Sequence, residues 1–302
     1  MTNLKWFTGF VFAITGVATL TAEVHCPGNV ASLPFRLVNR YQMVVPVSIN
    51  HGDAHDFLLD TGTQLTMVDP ALAAELHLET AGEAAVVSVG VNASAHFAHV
   101  DRIEAGTQGV ADHRVLVYDL KNLPSVGLAV RGVLGEDFLE HFDVLIDNGH
   151  HLLCLDEAGA MRVSVKGPYV PLVNTSQVAG GEVAPSLIVT VRLTDGMRPV
   201  HLKLDSGSSV PLLWNSSEYM ALGLKRGVSF HSSANGVLHS FTAVPPQTMK
   251  IGRLDVGHVA FLSAADDRRS ERTSGCDGLL TLGVFRTVFI NHSERSVVLA
   301  AW

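Results

Sequence analysis

The chain has few of the residues that announce metal or redox chemistry. It holds only three cysteines, Cys26, Cys154 and Cys276, and none forms a C-x-x-C pair, so a thiolate zinc site has no ligand set. In an oxidising compartment three cysteines allow one disulfide and one free thiol, and the pairing stays open. There are 15 histidines, yet the helical H-E-x-x-H motif is missing. The His96/His99 pair and His150 beside His151 read as chance proximity in a histidine-rich chain. No metal and no cofactor are expected. No basic block stands out either, and a formal net charge of −8 gives nucleic acid nothing to bind. The G-x-S-x-G elbow of serine hydrolases is absent: Ser206 and Ser208 lie in D-S-G-S, with no histidine beside them in sequence.

Long apolar runs are missing too, with one exception at the N-terminus. Lys5 precedes an apolar stretch from Trp6 to Leu20, followed by Thr21-Ala22. A positive start, a short apolar run and small residues are the parts of a secretory signal peptide, expected here over residues 1–22. The stretch is short for a membrane span. The mature chain is then expected from Glu23, secreted or periplasmic, with no stable membrane span. With 47% hydrophobic and 17% charged residues, the remainder can bury one large core or two lobes of about 140 residues.

What the chain does have is an internal repeat. The first half carries Val44-Val45-Pro46-Val47-Ser48-Ile49, a gap with Gly52, then Phe57-Leu58-Leu59-Asp60-Thr61-Gly62-Thr63. The second carries Leu187-Ile188-Val189-Thr190-Val191, a gap with Gly196, then Leu202-Lys203-Leu204-Asp205-Ser206-Gly207-Ser208. Each reads as strand, turn, strand and a polar loop bearing an acid. Leu65-Thr66-Met67-Val68 corresponds to Val210-Pro211-Leu212-Leu213, and a short helical pattern follows each. The first has Asp69 as N-cap and Pro70 at its first position; the second starts near Ser216 or Ser217 and runs to Leu222. Hairpin signals come next, with turns expected at Asn92-Ala93-Ser94 and at Asn235-Gly236. Each half closes on an apolar run: Gly132-Val133-Leu134-Gly135 leading to Val144-Leu145-Ile146-Asp147, and Gly278-Leu279-Leu280-Thr281 leading to Val288-Phe289-Ile290-Asn291. The expectation is a mainly β, bilobal chain of two homologous barrel-like lobes with a cleft between them. Their spans are 23–163 and 164–302, with Gly167-Pro168 near the boundary. Asp137, Asp143 and Asp147, near the first closing run, read as solvated turn charges.

The two acid loops are where chemistry is expected. An Asp directly after an apolar strand sits at the edge of the core, where its charge must be hydrogen-bonded or paired. Gly62 and Gly207 let the backbone turn sharply and bring N–H groups to the carboxylates. Thr63 and Ser208 can place hydroxyls on their outer oxygens. Two carboxylates meeting across a pseudo-twofold axis cannot both ionise easily, so the pair keeps one proton and titrates as a unit. The ionised member can activate a shared water while the protonated one polarises a peptide carbonyl.

The two motifs Asp60-Thr61-Gly62-Thr63 and Asp205-Ser206-Gly207-Ser208, with Val133-Leu134-Gly135, resemble those of the pepsin-like and retropepsin-like aspartic proteases. The resemblance covers nearly all of the chain after the leader. It implies that Asp60 and Asp205 are catalytic, that Thr61 and Ser206 link the loops, and that Thr63 and Ser208 are outer donors. It further implies an exported, bacterial, two-lobed monomer that hydrolyses polypeptides bound in extended form. The alternative is a catalytically silent relative that binds a peptide without cutting it. Two departures stand out. Thr281 occupies a position where the family favours glycine, and the hairpin expected to cover the substrate, Val89 to His99, has no tyrosine.

Overall fold

The structure, a computed structural model, describes residues 26–27, 30, 32–38, 41–88, 91–122, 129–173, 186–194, 198–214, 229–234, 237–264 and 276–302. The leader at 1–22, Glu23, Gly196, the helical pattern from Ser216 to Leu222 and the Asn235-Gly236 turn lie outside them.

The repeat read from the sequence becomes a repeat of hydrogen-bonded rings. In the first half, Gln42–Ile49 pairs with Ala54–Leu59, which runs parallel to Gly132–Leu134. The ring continues through Met67–Val68, Gln108–Val117 and Val91–Ala105, then closes back on Gln42–Ile49. In the second half Ile188–Leu193, Val200–Asp205, Gly278–Thr281, Leu212–Trp214, Leu254–Ala264 and Val237–Ile251 close in the same order. Closure leaves each ring without a free edge. The register makes the halves comparable residue by residue. Leu58 lies opposite Val133 and Lys203 opposite Leu279, so Gly135 and Thr281 occupy matching places beside the two acids.

A third sheet joins the barrels, and it was not legible in advance. The two closing strands Phe142–Asp147 and Phe285–Asn291 pair with each other, antiparallel, with Leu145 opposite Phe289. Leu152–Glu157 and Ser32–Pro34 extend this sheet on one side, Ser296–Ala301 and Tyr169–Pro171 on the other. Period-2 patterning marks a strand and its buried face but does not name its partner. One continuous apolar cluster runs through both barrels and this sheet, from Phe57 and Leu59 through Val144 and Ile290 to Leu204 and Phe285.

Several local expectations hold. Asp69 caps the helix Pro70–Glu75, its carboxylate accepting from the Leu72 N–H at 2.6 Å. The disulfide joins Cys26 to Cys154, 128 residues apart, and leaves Cys276 outside it as a buried thiol that donates to the Gly278 carbonyl. Others need correction. Asn92, Ala93 and Ser94 are ladder positions opposite Val87, Val86 and Ala85, so the turn does not fall on them. Asp143 and Asp147 are 0% and 8% exposed, not solvated. Asp143 accepts from the Met161 N–H, Asp147 from the His150 backbone and ring, and Asp137 from Thr66. Asp137 lies in the short helix Glu136–Leu139 and the other two in the strand Phe142–Asp147, and each satisfies backbone or side-chain donors, which composition alone does not reveal.

Candidate active site

Both acid loops follow an apolar strand whose neighbour runs parallel to it. The Asp60 N–H donates to the Leu134 carbonyl at 3.0 Å, and Asp205 lies opposite Thr281. At the residue just past each acid, the two loops pair with each other. The Thr61 N–H donates to Ser206 Oγ and the Ser206 N–H to Thr61 Oγ1, both at 3.0 Å. Each hydroxyl passes its own proton across the interface, Thr61 Oγ1 to the Leu204 carbonyl and Ser206 Oγ to the Leu59 carbonyl. All of these groups are buried, so every donor and acceptor in the exchange is satisfied without water.

This exchange fixes where the carboxylates go. Asp60 Oδ1 accepts from the Gly62 N–H at 2.8 Å and Oδ2 from Thr63 Oγ1 at 2.9 Å. Asp205 Oδ1 accepts from the Ser208 N–H at 2.8 Å, and the Gly207 N–H also donates to this carboxylate. Ser208 corrects one expectation: its hydroxyl donates to the Val210 carbonyl at 2.8 Å and not to the acid. The Asp205 carboxylate already has two backbone N–H partners, and the single hydroxyl proton goes to the carbonyl within reach.

The glycines show how close the loops come. A Cβ on Gly62 would lie 2.5 Å from Asp205 Oδ2, and one on Gly207 would lie 2.5 Å from Asp60 Cγ. Each carboxylate therefore rests on the opposite loop's glycine, and any side chain there would displace the opposing acid. With both acids on the same two glycines, their charges interact directly. Burial, and then the negative charge of Asp60, push the Asp205 carboxyl up from its ordinary value to about 7. Lys203 and the two backbone N–H groups pull the other way.

A family model described as aspartyl protease matches residues 45–138, which contain the first loop and its closing element. Over that stretch the chain is similar to the aspartyl proteases. Among solved structures, an aspartic proteinase from Irpex lacteus superposes with a TM-score of 0.58 at 12% identity, covering 90% of this chain and 97% of that one. At that identity the likeness speaks for the fold. It spans both lobes, whereas the family match covers only the first. No curated protein sequence matches the chain.

Against the aspartic protease pattern, Thr281 is accommodated without loss of packing. It is 4% exposed, and its hydroxyl accepts from the Gly283 N–H at 3.5 Å. Gly135, its counterpart, has no such freedom, since a Cβ there would meet the Leu65 carbonyl carbon at 2.8 Å. A polar lock draws the chain in at that point. Asp137 accepts from both the N–H and the hydroxyl of Thr66, whose Oγ1 accepts from the Gly135 N–H at 3.1 Å. The nearly buried His113 ring lies 3.3 Å from Asp137. In the second half the places of Thr66 and Asp137 fall to Pro211 and Gly283, and no lock forms.

Three residues near the dyad escaped sequence reasoning. Lys203 sends its ammonium across the interface to the Gly62 carbonyl. Glu136, 2% exposed, gives its backbone N–H to the Thr63 carbonyl at 2.9 Å, while its side chain meets His292 Nε2 at 3.0 Å. His292 Nδ1 reaches the Phe142 carbonyl at 2.9 Å. Burial drives the Glu136 carboxyl upward, with the hydrogen bond and charge of His292 opposing. The only available signal was the aligned repeat itself, in which a charged residue faces an apolar one: Lys203 against Leu58, and Glu136 against Leu282. Among the described residues no cluster of His, Cys, Asp or Glu is arranged to hold a metal, and no helix is long and apolar enough to cross a membrane.

Proposed function

We propose that the protein is an aspartic endopeptidase in which Asp60 and Asp205 activate water against a peptide bond. The observation that carries the reading is the crossed packing of the loops, each carboxylate lying against the opposite glycine. Two acids so placed share one proton. The ionised carboxylate takes a proton from a water lying between them, and the water oxygen attacks the peptide carbonyl carbon. The protonated carboxyl donates to the carbonyl oxygen as negative charge develops there. Collapse of the tetrahedral intermediate breaks the C–N bond, with a proton passing to the leaving amine. No covalent enzyme intermediate is required. With Asp205 raised to about 7, the pair keeps its proton from acid to neutral pH and loses activity above that range.

The substrate in this reading is a polypeptide held in extended form between lobes 23–163 and 164–302, cut between apolar residues by a monomer. The leader-like residues 1–22 and the disulfide support an exported protein. The test is incubation of the purified mature protein with unfolded casein across pH 3–7. Cleavage that pepstatin blocks, and that Asp60→Asn lacks, is expected. A wild-type protein with no cleavage anywhere in that range would return the chain to the peptide-binding alternative.

A further inference from the structure

Lys203 stands where a duplicated scaffold has no need of a charge. Its counterpart Leu58 is buried in an apolar cluster with Val44, Met67, Leu116 and Val133. The matching cluster of the second half, around Leu212, Trp214 and Leu279, has Lys203 at that place in the register. Lys203 is half-buried, two residues before Asp205 on the same strand, and its ammonium donates to the carbonyl of Gly62 in the opposite loop. Gly62 in turn gives its N–H to Asp60 and carries the Asp205 carboxylate on its Cα. A single cation is thus tethered to the residue that donates to one acid and packs against the other.

We infer that Lys203 is a positioning residue that sets the proton affinity of the Asp60–Asp205 pair and makes its two members unequal. A fixed positive charge beside two carboxylates favours their ionised forms, opposing the burial and mutual repulsion that favour the shared proton. The facing charges are few. Asp205 meets Asp60 from the opposite loop and Lys203 from its own strand, with the Gly207 and Ser208 N–H groups. Beyond Lys203 lies Glu136, which senses the same cation and is engaged by His292, with Glu140 the next charge. Glu136 has its own side-chain partner in His292, whereas the ammonium of Lys203 is tethered to the dyad's own loop.

The inference rests on the two acids forming a pair, and it is tested without relying on catalysis. Carboxyl carbons of Asp-labelled protein are followed by NMR from pH 3 to pH 9 in wild type, Lys203→Met, Lys203→Gln and Lys203→Arg, with Asp60→Asn and Asp205→Asn for assignment. Removing the charge should move the upper titration step of the pair upward by about half a pH unit or more in Met and Gln, while Arg titrates as wild type. Leu58 shows that the scaffold accepts an apolar side chain at this place, and circular dichroism checks each variant's fold. Unchanged titration in both Met and Gln overturns the inference. So does a Gln variant that matches wild type while Met does not, because the tether and not the charge would then be responsible. With peptide cleavage as a second readout, the upper limb of the kcat/KM profile should shift by the same amount. A shifted titration in a protein that cleaves nothing leaves Lys203 in its role and removes the peptidase reading.

Discussion

The two barrels share a ring order and differ in what fastens each acid loop to it. The first loop is held by a polar lock: Thr63 on Asp60, Thr66 on Asp137, and Gly135 drawn against Leu65. The second has none of these. Ser208 turns its hydroxyl to Val210, Pro211 and Gly283 replace the lock, and Thr281 fills the space that Gly135 leaves to backbone. The contacts from each half to the other differ in kind as well. Asn148 donates to the carbonyls of Leu282 and Phe285, while its counterpart His292 pairs with the Glu136 carboxylate and the Phe142 carbonyl. Duplication therefore delivers two equivalent carboxylates on unequal supports, and an unequal pair is what splitting acid and base roles calls for.

The largest expected effect removes either carboxylate. Asp60→Asn and Asp205→Asn should each lower peptide cleavage about 10³-fold or more, since general acid–base partners contribute on that scale. Their stabilities should diverge with pH. Asp205 has a folded-state pKa of about 7, raised above its ordinary value. The stability this contributes is present at low pH and is lost as pH rises through 7. Asp205→Asn should therefore match wild type near pH 4 and exceed it at pH 8, by about 4 kcal/mol and a correspondingly higher Tm. A wild-type Tm that does not fall relative to the variant between these pH values would remove the buried, proton-sharing environment assigned to Asp205.

The next contrast exchanges the two closing elements. Gly135→Ala drives a methyl into the Leu65 backbone and should cost about 3 kcal/mol, while Thr281→Gly, losing a cap and packing, should cost about 1 kcal/mol. Urea unfolding of both variants gives the comparison, and equal losses would mean that the lock does not distinguish the halves. His292→Asn copies the residue found in the other half but leaves the Glu136 carboxylate without its partner, at about 2 kcal/mol. Adding Glu136→Leu, to reproduce the Leu282/Asn148 arrangement, should recover most of that loss. A double variant less stable than His292→Asn alone would contradict it.

How much of this was legible depended on how local the determinant is. Strand, turn and acid loop are written in residues a few positions apart, so the repeat, the Asp69 cap and the acid-bearing loops could be read directly. Joining the halves is nonlocal. That Phe142–Asp147 would pair with Phe285–Asn291, and that Cys26 would choose Cys154, are consequences of closure that no window of sequence contains. The supports of the acids fell between these extremes. Asp137, Asp143 and Asp147 look like turn residues, yet the first lies in a short helix and the other two in a strand, each where backbone donors need an acceptor. Lys203 and Glu136 were visible as departures from the repeat, but their meaning required knowing that each points toward the other half.

The smallest effect bears most directly on whether the loops are unequal where they touch the acids. Thr63 donates its hydroxyl to Asp60 Oδ2, so Thr63→Val leaves that oxygen short of a donor and should lower kcat/KM about 10-fold. Ser208 reaches Asp205 only through its backbone N–H, which Ser208→Ala retains. That variant should change kcat/KM by less than about 2-fold, the Val210 carbonyl being near enough to solvent to find water. Both are read from the same steady-state assay at pH 5. The sequence repeat treats Thr63 and Ser208 as one position, and a symmetric dyad would make the two substitutions equally harmful. A large loss in Ser208→Ala would mean that its hydroxyl turns to Asp205 once substrate is bound, so that the asymmetry belongs to the resting protein alone.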